Sequence, residues 1–236
     1  MSTVAYITAR GLFGRRRVLL LLPLPLLVIG LAVICRAAGV DPDQWGQAVV
    51  VGLGLAVALP VMSLIVGTGV LGSEVDDGTI VHILTKPLPR RDIILAKLLV
   101  AAGVSAVASA IPLFVAGVLA DSVKFGLALA AASAAGAVAY SALFLLLSLV
   151  TRRPVLLGLV YILVWEGLLG RWISGTRVLS IEQYVITIAD KIAPTGMLNG
   201  KVSLPVAVVM AVIFAIGGTL FAINRLGSFS VAGETS

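Results

Sequence analysis

Six long runs of Ala, Val, Leu, Ile and Gly, separated by short charged connections, constrain this chain more than any motif in it. They cover residues 18–35, 48–71, 93–120, 125–150, 155–170 and 204–223. A helix needs about 20 mostly apolar residues to cross roughly 30 Å of hydrocarbon, and these runs meet or approach that length. Hydrocarbon offers the backbone no hydrogen-bonding partner, so each run has to satisfy its own N–H and C=O groups as a helix. With 60% hydrophobic and 12% charged residues among 236, one soluble core could not bury the apolar surface. The expected fold is therefore all-α: a polytopic integral membrane protein with six transmembrane helices.

The first run follows Arg15, Arg16 and Arg17 and so resembles a signal peptide. It is too long for one, and no small-x-small site closes it before Arg36, so a retained span is expected. The net charge of +6 would suggest nucleic acid in a soluble protein; here the positions of the charges give topology instead. Arg10 and Arg15 to Arg17 precede the first run, and Lys86, Arg90, Arg91 and Lys97 lie between the second and third. Arg152 and Arg153 lie between the fourth and fifth, and Arg225 follows the sixth. All fall on one side, so both termini are expected in the cytoplasm. Cys35, the single cysteine, reads as a packing or lipid-facing residue.

Two connections are more than turns. In 171–203, Ile181, Val185, Ile188 and Ile192 recur at helical spacing while Glu182, Asp190 and Lys191 take other faces. This predicts a short helix on the outer membrane surface, capping the bundle. The other connection, 74–91, reads EVDDGTIVHILTKPLPRR. If residues 75–86 are helical, Ile80, Ile83, Leu84 and Pro87 share a face and Asp76, Asp77 and His82 lie off it. Its acids stand at the start and its bases at the end, as the helix dipole prefers. Pro87 and Pro89 then turn the chain, Asp92 is placed to cap the next helix, and Lys97 is expected to lay its stem in lipid with its ammonium at the interface. From these features alone the segment is a short amphipathic helix on the cytoplasmic side, compatible with simple anchoring to anionic lipid.

Small residues recur at every fourth position in the third run (Ala102, Ala106, Ala110) and the fourth (Ala128, Ala132, Gly136), a pattern that lets membrane helices pack closely. Ser105, Ser109, Ser133 and Ser141 either line a weakly polar path or bond their own backbone. Glu166 is the one acid well inside an apolar run, about 16 Å along its helix at 1.5 Å per residue. It faces a translocation path, or it is an acid near the outer interface bonded to the outer helix or to Arg171. No phosphate-binding G-x-x-x-x-G-K-[ST] run occurs, His82 is the only histidine, and no nucleophile stands near a base. No catalytic residue and no metal site are expected.

The segment Glu74, Gly78, Thr79, Leu84, Pro87, Arg90 and Lys97 resembles the cytoplasmic signature of type-2 ATP-binding cassette permeases. LVWEGLLG at 163–170 and RVLSIEQY at 177–184 are similar to the fifth span and outer segment of bacterial members. The resemblance implies one permease domain over 1–236, in a bacterial plasma membrane. It also implies a coupling role for 74–91 against a separate cytoplasmic ATPase, with ATP and Mg held by that partner and no cofactor on this chain. Glu74 and Arg90 would make polar contacts, Leu84 and Pro87 would lie at the interface, and Gly78 and Thr79 would allow close approach; internal packing is the other reading of each. A second permease copy and the lipid bilayer are the other implied partners, nucleic acid is not one, and export by alternating access is the implied activity. An ion-coupled secondary transporter and a non-transporting scaffold are the rivals; the first calls for several intramembrane charges, where this chain offers Glu166.

Overall fold

The computed structural model describes residue 8 and residues 21–76, 89–170 and 174–228. Among the described residues every regular element is helical. The first helix, α1, is Pro23–Ala37. A second begins as α2 (Pro42–Gly46), where Asp41 caps the start by accepting from the Asp43 N–H at 3.1 Å. It continues through a π-wound stretch, Gln47–Ala58, into α3 (Leu59–Asp76). The helix α4 (Arg90–Ala120) turns through Asp121 and Ser122 into α5 (Val123–Val150), with Ser122 as its cap. Next come α6 (Pro154–Val160) and its π-wound extension Tyr161–Leu169. A 3-10 turn, Ser174–Leu179, leads to α7 (Ile181–Ile192), and α8 (Leu204–Ser228) follows.

Among the described residues four helices are long and apolar enough to cross a membrane: Pro42–Leu71, Arg91–Ala120, Val123–Val150 and Leu204–Leu226. Pro23–Ala37 and Pro154–Leu169 are shorter apolar helices. Leu26, Leu99, Leu163, Val209 and Phe221 are more than half exposed, an apolar exterior that lipid, not water, would solvate.

The interior is set by glycines that admit a neighbour. A Cβ on Gly117 of α4 would lie 2.8 Å from the Gly126 Cα of α5, so the α4–α5 hairpin closes by near contact of the two backbones. The small stripe on α5 is buried, and Gly136 faces Val185 of α7 and Leu59 of α3. Gly136 is 13 residues, about 20 Å, along α5. The outer helix is thus set deep into the bundle instead of lying over its rim. Glu182, expected on a face other than that of the isoleucines, is 3% exposed, while Ile192 is 42% exposed.

Two further expectations change near 74–91. Pro89, not Asp92, occupies the cap position of α4; Asp92 stands in its first turn, 3.7 Å from Arg91. Lys97 does not reach for the interface. It is 1% exposed, and its Nζ donates to the Val70 carbonyl of α3 at 2.8 Å. The helix pair is so close here that the shortest route for the ammonium is sideways, to a carbonyl near the negative end of α3.

Candidate functional sites

The described flanks of the segment 74–91 are the end of α3 and the start of α4. Glu74 lies in the last turn of α3 and Arg90 opens α4; Gly78, Thr79, Leu84 and Pro87 lie outside the described residues. Besides the Lys97–Val70 bond, a separate apolar cluster joins these ends: Leu71 of α3, Ile94 of α4, Leu145 and Leu149 of α5, and Ala222 and Leu226 of α8. Four helices therefore meet in one small core where the segment enters and leaves. A push on the segment would be delivered to all four together, because a packed core transmits displacement without absorbing it.

The second site is built around Glu166. The π-wound stretch carries its carboxylate inward, where the residue is 2% exposed. Oε1 accepts from the Tyr140 hydroxyl of α5 at 3.1 Å, the Tyr161 hydroxyl at 3.0 Å and the Ile181 backbone N–H at 3.0 Å. Oε2 accepts from the Ser180 hydroxyl, which in turn accepts from the Gln183 N–H at 3.3 Å as the cap of α7. A buried carboxylate needs donors in this number, and the positive N-terminal end of α7 adds to them. The ring of Tyr140 stacks on Phe144 at 5.8 Å, and Phe144 meets Tyr161 edge-on at 6.3 Å.

The turn between α6 and α7 is fastened on its own account. Thr176 Oγ1 donates to the Leu169 carbonyl at 2.8 Å, Trp165 Nε1 to the Leu179 carbonyl at 3.2 Å, and the Tyr184 hydroxyl to the Val178 carbonyl. Burial first, and the Glu166 carboxylate second, raise the Tyr184 phenol above its ordinary pKa, so it stays a neutral donor. Three of the chain's four tyrosines thus gather in one region. Sequence reasoning placed Glu166 but missed Tyr140, Tyr161 and Ser180. The available signal was a phenol in each of two apolar runs, since a buried tyrosine hydroxyl seeks a partner.

Of the span serines, Ser109 bonds the Ser105 carbonyl at 2.8 Å and Ser133 the Ala130 carbonyl at 2.9 Å, within their own helices. Among the described residues no group of three or more His, Cys, Asp or Glu side chains is placed to hold a metal.

The sequence matches a family model described as "ABC-2 family transporter protein" over residues 15–165. That stretch takes in α1 to α6, the segment 74–91 and, of the Glu166 site, Tyr140 and Tyr161; it ends one residue before Glu166. No curated protein matches the chain.

Proposed function

Since the chain belongs to the ABC-2 family of transporter proteins, we propose that it is the permease subunit of an ATP-driven exporter in a bacterial plasma membrane. The observation that carries this reading is the family match itself, which runs unbroken through 74–91 and both helices that flank it. In this reading all six apolar helices cross the bilayer, with both termini in the cytoplasm. A separate ATPase binds ATP and Mg, and a second permease copy completes the pore. Closure of the ATPase pair moves 74–91, and the movement opens a cavity between the permease copies outward. Glu74 and Arg90 set the register against the ATPase, Leu84 and Pro87 pack on it, and Gly78 and Thr79 let it approach.

The supporting mechanics are local. Force entering at 74–91 meets α3 and α4, which are joined by Lys97 and Val70, and passes to α5 and α8 through Leu145, Leu149, Ala222 and Leu226. Glu166 has a different task in this reading: it anchors α7 to α5 and α6 through the donors that surround it, so it carries no cargo and no proton.

The test is to purify the tagged chain from its native membranes in mild detergent, identify what accompanies it, and compare ATP hydrolysis for the parent and Glu74→Ala. A stoichiometric ATPase whose association or stimulated activity falls in Glu74→Ala is the expected result. Repeated preparations without any nucleotide-binding partner would remove the mechanism.

A further inference from the structure

The end of the bundle opposite 74–91 contains a cavity of about 740 Å³, between the π-wound start of the second helix and the chain from α7 to α8. That is within the usual range for small-molecule sites, roughly 300–1,000 Å³. Asp190 and Lys201 both line it. Among the described residues neither makes an ion pair with the other or with any third group. Two opposite charges that line one cavity without pairing are complementary to a molecule that carries both signs. A third feature points the same way. Gln183 lines the cavity, is 8% exposed, and its Oε1 has no hydrogen-bond partner among the described residues. A buried amide oxygen without a partner is unfavourable unless something donates to it.

The wall that carries Lys201 is fixed in place. A Cβ on Gly200 would stand 3.0 Å from the Thr187 Cα and 3.3 Å from Asp190 Oδ2, so glycine lets the chain lie against α7 beside the carboxylate. Met197 is seated likewise: a Cβ on Gly46 would stand 2.7 Å from its sulfur. The charges are therefore held on two elements that pack against each other at Gly200.

We propose that this cavity binds a small zwitterion, of the size of a short peptide, bearing a primary ammonium and an anionic group. Asp190 and the Gln183 amide oxygen accept from the ammonium, Lys201 holds the anion, and Ile186 and Met197 pack on the carbon skeleton. Binding here requires no ATPase, so the inference goes beyond the transport reading and can fail without it.

The experiment is calorimetric titration of the full chain in phosphatidylcholine nanodiscs with trialanine. N-acetyl-trialanine removes the ammonium and trialanine amide removes the carboxylate. Trialanine should saturate one site per chain, with each blocked peptide about tenfold weaker or more, the loss of one charge-assisted contact. Asp190→Asn and Lys201→Gln should each weaken trialanine to a similar degree, while circular dichroism and thermal midpoint stay those of the parent. Repeating the titration in phosphatidylethanolamine nanodiscs separates the two natural sources of this chemistry. Weaker trialanine binding there assigns the site to the lipid headgroup, and unchanged binding assigns it to a soluble zwitterion. Absence of saturable binding, or binding unaltered by both substitutions, overturns the proposal.

Discussion

Lys97, in the second turn of α4, donates to the carbonyl of Val70 in α3 at 2.8 Å, from a position 1% exposed to solvent. The two residues are 27 apart in the chain and stand on either side of the segment 74–91, proposed above to meet an ATPase. The bond joins two levers at their base. Lys97→Met keeps the shape of the side chain and removes the charge. Replacing a buried charge by a well-packed apolar residue often leaves stability within about 1 kcal/mol or improves it. The expected outcome is an unchanged thermal midpoint together with a severalfold loss of permease-stimulated ATP hydrolysis in the purified complex. A parallel loss of both would mean that Lys97 only holds the fold together.

Glu166 allows the anchor and the ion-coupled readings to be separated by one pair of substitutions. Glu166→Ala leaves two phenols, a hydroxyl and the Ile181 N–H without their acceptor, and should cost roughly 3–5 kcal/mol, the range for stripping one side of a buried charged network. Glu166→Gln retains an acceptor oxygen for Tyr140, Tyr161 and Ile181 and turns a donor toward Ser180, so about 1–2 kcal/mol is expected. Thermal unfolding of both variants in detergent measures the difference. If Glu166 moved protons, Glu166→Gln would abolish transport; as an anchor it should retain transport, at the cost in stability just given.

The helices were largely legible in the sequence because hydrocarbon leaves the backbone no alternative. The expected runs 93–120 and 125–150 lie within α4 and α5, and 204–223 lies within α8. What could not be read was side-chain partnership at long range. Lys97 near a helix start has the same local pattern whether it seeks the interface or a carbonyl on the next helix. Likewise, nothing in LVWEGLLG indicates that its acid meets Tyr140, 26 residues earlier, and Ser180, 14 later. The small stripe ending at Gly136 announced a close neighbour without naming it, and the isoleucine spacing of α7 fitted a surface helix as well as a buried one.

That neighbour is Val185. Gly136→Ala would bring a methyl group against Val185 Cγ2 and to 3.2 Å from Leu59 Cδ2, and overpacking of this kind costs about 1–3 kcal/mol. Val185→Ala alone opens a void at the same place. Combined, the two changes should partly restore one another, with a favourable interaction energy of roughly 0.5–3 kcal/mol between residues in contact. Denaturation of the four proteins in mixed micelles completes the cycle. Strict additivity would mean that α7 does not pack on α5 in the folded protein.

Topology can be tested from the ends of the bundle. In a Cys35→Ala background, Asp43→Cys and Asn199→Cys each introduce one thiol at an exposed position near the start of α2 and before α8. Arg91→Cys introduces one where the side chain is 74% exposed, at the start of α4. With the excess of Lys and Arg on the side of Arg91, that end should face the cytoplasm. A maleimide that cannot cross membranes should therefore label positions 43 and 199 in intact cells, and position 91 only after permeabilisation. The reverse pattern would invert the chain and place 74–91 outside, beyond the reach of any cytoplasmic ATPase.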